Sequence, residues 1–250
     1  MKVQLAESVT AFTTDSPLRH SPCYALRDQS LAVGGYANQE ERDAQLAHTF
    51  GSQQWLWSEE DDFRFRNSDH QLESLYLLIP EEPCPAPDAC ARWVRTTMVV
   101  GGLRVARRDN FALETTTGRW FDQEARHMIC LRDQAPPPEE GGTRVRIAPD
   151  TDLLLAGGKM VGWMLTNPAR YLTQGWDRPA DTPPVPGTSQ LLAAYLAMTS
   201  WPALEKILDG DAGACRELRN LKQRILSQPT DPSRTSVLGR AVGMLIEDHC

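Results

Sequence analysis

The segment 144–172 constrains the fold more than any other part of the chain, because it holds two apolar runs separated by a glycine pair. The runs cover residues 153–155 and 160–165, and Gly157-Gly158 stands between them. Two consecutive glycines supply the positive φ angles that a tight β-hairpin turn requires. Side chains that are apolar at successive positions indicate strands covered on both faces. The segment therefore predicts a central β-hairpin that serves as scaffold.

The pattern of hydrophobic residues changes at one proline-rich linker, residues 177–187. Before the linker the pattern is typical of strands, and after it apolar residues recur at helical spacing. We therefore expect an α+β fold in which residues 1–176 form an antiparallel, strand-rich part with one or two helices. Residues 188–250 are expected to form a helical part that docks on the first. A chain of 250 residues can bury such a core without covalent cross-links.

The six cysteines are scattered along the chain, unlike the dense disulfide framework of small secreted proteins. Residues 1–20 contain no apolar run long enough for a signal peptide. No stretch approaches the roughly 18 consecutive apolar residues of a membrane-spanning helix. These features predict a cytoplasmic protein with reduced thiols and no membrane contact. Only 4 of the 26 basic residues are lysines, and such an arginine bias favours a bacterial source.

Negative charge is concentrated in the first third of the chain. Residues 1–90 contain 6 basic and 15 acidic side chains, whereas the whole chain has a net charge of −7. This balance argues against nucleic acid as a partner, since phosphate binding needs clustered cations, and it is compatible with a basic protein partner. The simpler interpretation is a solvated acidic surface that keeps the protein soluble.

Aromatic residues next to an acidic run predict an interaction surface, because aromatic side chains are enriched at protein interfaces. The candidate interface residues are Trp55, Trp57, Phe63 and Phe65. With the acidic first third, they predict a non-catalytic protein-binding protein, such as an inhibitor, an immunity-type protein or an adaptor. Such a protein would bind a basic partner more weakly as salt is added.

Arginines on the predicted sheet of residues 103–147 support a second function class, an enzyme or carrier for a small acidic molecule. The short strands there are expected to lie side by side in a meander, which would bring Arg104, Arg119 and His127 into one site. Arginine clamps carboxylates and phosphates, and Glu124 beside His127 is a candidate acid–base pair. The alternative interpretation is a salt-bridged outer face of a sheet.

Two further candidate ligand-binding residues lie where the hairpin leads into the linker. Arg170 and Tyr171 follow the second apolar run, which contains Trp163. Because the sheet meets the helical part here, we expect any cavity between them to be walled by Trp163. Arg170 and Tyr171 would line its rim.

The motif search argues against several chemistries. The chain has no Gly-rich dinucleotide or phosphate loop, no nucleophile elbow and no His-Glu-x-x-His motif. Five residues separate Cys84 from Cys90, which exceeds the spacing of a zinc hook. Glu124 and His127 have the Glu-x-x-His spacing of a di-iron protein, but that site needs the motif twice. We therefore expect no metal and no cofactor.

Overall fold

The computed structural model describes residues 1–52, 61–133, 135–139, 141–228 and 230–250. Within these ranges the chain forms a nine-stranded sheet, a six-stranded sheet and six α-helices. The α+β class expected from the sequence is therefore confirmed. No helix in these ranges has both the length and the apolar character needed to cross a membrane.

The strands and helices follow one another along the whole chain. The strands are β1 Lys2–Ala6, β2 Val9–Thr14, β3 Cys23–Ala25, β4 Ser30–Val33, β5 Thr49–Gly51, β6 Asp62–Arg66, β7 Leu72–Leu78, β8 Met98–Val100, β9 Gly102–Val105, β10 Gly118–Phe121, β11 His127–Leu131, β12 Gly142–Ala148, β13 Thr151–Ala156, β14 Lys159–Thr166 and β15 Leu172–Thr173. The helices are α1 Gln39–Ala47, α2 Pro87–Trp93, α3 Pro186–Met198, α4 Ala203–Leu208, α5 Ala212–Leu226 and α6 Pro232–His249, and a 3₁₀ helix spans Pro168–Tyr171.

The glycine-pair hairpin is formed by β13 and β14, as the sequence predicts. Gly157 and Gly158 have φ angles of 56° and 80°, the left-handed region that only glycine enters without strain. β14 is the centre of the larger sheet, because β13 pairs with one of its edges while β11 and β1 pair with the other. Both apolar runs are buried throughout, so the hairpin is covered on both faces.

The order of the larger sheet is β8-β12-β13-β14-β1-β2-β9, with β11 on the second edge of β14 and β10 on β11. The predicted meander of residues 103–131 is confirmed for β10 and β11, which pair in antiparallel fashion, and is wrong for β9. β9 pairs with β2, where Leu103 and Val105 are buried, and not with the strands that follow it. β2 and β1 stand between β9 and the edge of β14 on which β11 also pairs, so β9 and β11 are not neighbours.

The smaller sheet has the order β15-β3-β4-β7-β6-β5. Phe63 and Phe65 of β6 are 0% exposed, and Phe65 contacts the rings of Phe50 and Phe111. The prediction that Phe63 and Phe65 lie on an interaction surface is therefore wrong, since both belong to the core. Trp55 and Trp57, the other two predicted interface residues, lie outside the described residues.

The helices α3 to α6 follow the linker, and buried arginines tie this part to the strands. Arg119 of β10 is 3% exposed, and its Nη2 donates to the carbonyl oxygens of Leu196 and Thr199 at 3.3 and 3.0 Å. These carbonyls lie at the C-terminal end of α3, where a helix presents unpaired acceptors and partial negative charge. Burying Arg119 against them joins β10 to α3.

Four of the six cysteines are paired in the structure. Cys84 is bonded to Cys90, and Cys215 is bonded to Cys250, whose Cα atoms lie 5.5 Å apart as is usual for a disulfide. The expectation of reduced thiols is therefore wrong for these residues, because the spacing of the cysteines does not reveal that the end of α6 returns to α5. Disulfides persist in oxidising compartments.

Candidate functional site

A cleft of about 360 Å³ opens where several distant segments meet. It is lined by the loop before β3, the turn after β4, the 3₁₀ helix and the first part of the linker. The parallel pairing of β15 with β3 places Leu172 opposite Tyr24, and this brings the end of the hairpin to the loop before β3. The cleft thus depends on a contact between segments that are remote in the sequence.

Three arginines line the cleft, and none of them forms an ion pair with a described residue. Arg19, Arg170 and Arg178 are exposed. None of their guanidinium nitrogens has a carboxylate oxygen of a described residue within 4.0 Å. Two acidic side chains, Glu41 and Asp181, also reach the lining. Because the arginines outnumber the carboxylates and remain unpaired, the cleft presents donors to an anion.

One wall of the cleft is aromatic. Trp176 lies edge-on to Tyr36, with ring centroids 5.4 Å apart, and 6.1 Å from Tyr76. The Arg42 guanidinium stacks over Tyr76 and Trp176 at 4.9 and 5.5 Å from the ring centroids. A side chain at Gly34 would collide with the ring of Tyr36, so glycine is needed beneath it. Burial raises the pKa of Tyr36, which keeps its phenol protonated at neutral pH.

Two further polar groups in the lining are held in their neutral forms. Burial raises the pKa of the Cys23 thiol to about 11, and its Sγ donates to the Asp177 carbonyl at 3.4 Å. The thiol is therefore not a nucleophile at neutral pH. The Tyr171 hydroxyl donates to Asp150 Oδ2 at 2.8 Å, and burial together with this bond raises the pKa of Tyr171. Both groups shape the cleft without adding charge.

A buried arginine beneath the cleft fixes its backbone. Arg234 of α6 is 1% exposed, and its Nη2 donates to the carbonyls of Arg170, Ala180 and Thr182. Its Nη1 donates to Asp231 Oδ1 at 3.0 Å. One guanidinium therefore holds the 3₁₀ helix, the linker and α6 in a single arrangement, and the cleft is positioned before any ligand binds.

The structure separates the residues that were expected to form one site on the sheet. Arg104 is exposed on β9, Arg119 is buried against α3, and His127 lies on β11. His127 Nδ1 lies 2.9 Å from Asp122 Oδ2, while Glu124 pairs with Arg126 at 2.9 Å. The predicted acid–base pair of Glu124 and His127 is therefore not formed, and the three cationic residues do not converge.

The second pair of predicted ligand-binding residues does line the cleft. Arg170 and Tyr171 both contribute to it, as the exit of the hairpin suggested. The wall residue was predicted wrongly: Trp163 is 0% exposed in the core, and Trp176 takes that place. Arg19 was missed, because nothing in its local sequence signals the pairing of β3 with β15.

Comparison with protein-family models, curated proteins and solved structures finds no match to this chain. The geometry of the cleft is therefore the basis for assigning a function. In the described part of the chain, no three His, Cys, Asp or Glu side chains come together as a metal site would require.

Proposed function

We propose that this protein binds a small acidic molecule in the arginine-lined cleft. The observation that supports this proposal is the group of three exposed arginines around one cavity, Arg19, Arg170 and Arg178, each without an ion-pair partner among the described residues. Guanidinium groups pair with carboxylates and phosphates in planar, bidentate geometry. A cavity of about 360 Å³ lies in the size range of small-molecule sites.

The aromatic wall supports a ligand that has an uncharged body beside its acidic group. Trp176 and Tyr36 offer ring edges and faces for that body to pack against. The Tyr36 phenol remains protonated at neutral pH and is available as a neutral hydrogen-bond donor. Because Arg234 fixes the backbone of the 3₁₀ helix and the linker, binding does not have to order these segments first.

A thermal-shift and calorimetry screen of small carboxylates and phosphates at constant ionic strength tests the proposal. A ligand present at 100 times its dissociation constant should add about 2.7 kcal/mol to the free energy of unfolding. Arg178→Ala should weaken binding by about tenfold or more, equivalent to about 1.4 kcal/mol. Arg216→Ala, which removes an exposed arginine of α5 outside the cleft, is the matched control. Equal losses in both variants would exclude the cleft as the site.

A second candidate function is binding of a basic protein through α1, and the exposure of this helix supports it. None of the α1 residues is buried. Glu40 and Asp43 are exposed on it, and Glu41 accepts a hydrogen bond from the Ala37 N–H at 2.7 Å. Such a helix presents negative charge that a cationic surface can approach.

Titration with an arginine-rich peptide at several salt concentrations tests this second candidate. We expect affinity to fall as salt is added, and to fall further in the double variant Glu40→Gln/Asp43→Asn. The double variant Glu247→Gln/Asp248→Asn removes the same charge from exposed positions of α6 and serves as the control. If both double variants lose the same affinity, net charge alone explains the binding and α1 is not the site.

A further inference from the structure

A second cavity, of about 420 Å³, adjoins the arginine-lined cleft. It is lined by the later part of the linker, including Pro183 and Pro186, and by Arg126 and Asn167. Arg170 lines both cavities. The two cavities therefore adjoin each other at Arg170.

The linker connects the two cavities in sequence order. Residues 178–181 line the first cavity, and residues 183, 184 and 186 line the second. Arg234 holds this stretch by donating to the carbonyls of Arg170, Ala180 and Thr182, which lie at the junction. The two cavities are therefore the two ends of one groove, the linker groove.

Each end of the linker groove contains a cationic group. Arg19 and Arg178 lie at the first end, and Arg126 lies at the second. Arg126 Nε is 2.9 Å from Glu124 Oε2, and these side chains are 65% and 60% exposed. An ion pair this exposed contributes only about 0–1 kcal/mol, so an incoming anion can replace Glu124 at little cost.

We propose that the ligand of the linker groove is an elongated small molecule with an acidic group at each end. This inference rests on the proposed function of the first cavity and adds the length and charge of the ligand. One acidic group pairs with Arg19 and Arg178, the other pairs with Arg126, and Arg170 lies beside the segment between them. The two cavities, about 360 and 420 Å³, suit a small molecule that fills both.

The test is calorimetry with straight-chain dicarboxylates and bisphosphonates of increasing length, each compared with the monoacid of equal chain length. In the wild type, we expect one range of lengths to bind at least tenfold more tightly as the diacid than as the monoacid. Arg126→Ala should abolish that gain and leave monoacid affinity unchanged. Arg178→Ala should weaken both kinds of ligand, and Arg216→Ala should weaken neither.

The outcomes separate this inference from the proposed function on which it rests. If diacids of every length bind no more tightly than monoacids, the inference is wrong while the first cavity remains an anion site. The inference is equally wrong if Arg126→Ala weakens monoacids and diacids by the same factor. If no acid binds the wild type, the proposed function fails and the inference fails with it. A gain confined to bisphosphonates supports the inference and identifies the acidic group as a phosphonate or phosphate.

Discussion

The interior and the cleft of this protein use the same side chain, arginine, in opposite ways. Arginines in the interior are buried or half-buried, and their terminal Nη groups donate to backbone carbonyls and carboxylates of the protein itself. Arginines of the cleft are exposed, and none forms an ion pair with a described residue. The interior set comprises Arg119, Arg132 and Arg234, and the cleft set comprises Arg19, Arg170 and Arg178.

This difference shows that an arginine indicates a ligand-binding site only when its N–H donors are not hydrogen-bonded within the folded protein. A buried guanidinium that satisfies several carbonyls stabilises the folded chain, and its removal leaves those acceptors unpaired. An exposed guanidinium without a partner contributes little to stability and can pair with an external anion. The two sets should therefore differ in the property that each substitution changes.

Arg234→Ala should have the largest effect on stability. The change leaves Asp231, which is 7% exposed, without its cationic partner and with the Thr188 hydroxyl as a donor, and it frees the carbonyls of Arg170 and Ala180. Loss of one partner from a buried ion pair costs about 3–5 kcal/mol. Urea unfolding followed by circular dichroism measures this cost. Arg240→Ala, at an exposed site on the same helix, should cost less than about 0.5 kcal/mol. If Arg234→Ala and Arg240→Ala cost the same, buried and exposed arginines do not differ in their contribution to stability.

Asp61 is a buried acidic side chain with a hydrogen-bond partner for only one of its two carboxylate oxygens among the described residues. It is 0% exposed, its Oδ1 accepts from the Leu78 N–H at 2.9 Å, and its Oδ2 has no hydrogen-bond partner. Burial raises the pKa of Asp61 to about 7. The folded state therefore holds this proton more tightly than the unfolded state does, so the contribution of Asp61 to stability is greatest below about pH 4 and is lost as pH rises through about 7.

Asp61→Asn should remove this loss and stabilise the protein at neutral pH by up to about 4 kcal/mol. Unfolding free energies measured from pH 4 to pH 8 test the prediction. Burial also raises the pKa of Asp62, so the profile of the variant should be flatter than that of the wild type without becoming level. Parallel profiles for wild type and variant would show that Asp61 is not the group that titrates.

Arg119→Ala should have an intermediate effect, because this arginine has several acceptors and no buried carboxylate. Its Nη2 donates to Leu196 O, Thr199 O and, at 2.7 Å, to Ser200 Oγ. Leaving buried acceptors unsatisfied costs about 1–3 kcal/mol. Urea unfolding should place this variant between Arg234→Ala and Arg240→Ala. A cost below that of Arg240→Ala would show that these hydrogen bonds do not stabilise the contact between β10 and α3.

The sequence predicted features set by local pattern and missed those set by remote pairing. The hairpin could be predicted because Gly157-Gly158 and its apolar flanks are contiguous. Arg170 and Tyr171 were predicted as ligand residues because they follow that hairpin directly. The convergence of Arg104 with His127 was predicted wrongly, since neighbouring strands in sequence were assumed to pair.

The cleft residues that were not predicted also depend on pairing between segments that are remote in the sequence. Arg19 and Arg178 come together only because two-residue strand β15 pairs with β3, and so short a strand leaves no periodic signal. The burial of individual arginines could not be predicted either. The local sequence around a strand arginine does not show whether its side chain faces solvent or, like that of Arg119, the end of a helix. Burial, and not residue type, distinguishes the two sets.

Substitution of a cleft arginine should have the smallest effect on stability, and this result would distinguish the cleft set from the interior set most clearly. We expect Arg19→Ala and Arg178→Ala each to change the free energy of unfolding by less than about 0.5 kcal/mol, because neither side chain is buried or ion-paired with a described residue. Removal of positive charge from a site where arginines outnumber carboxylates should even relieve repulsion between the arginines at low salt. Each variant should nevertheless lose affinity for anions. Urea unfolding without ligand, and thermal shift with it, measure the two properties separately. A cleft variant that loses several kcal/mol without ligand would place its arginine with the interior set.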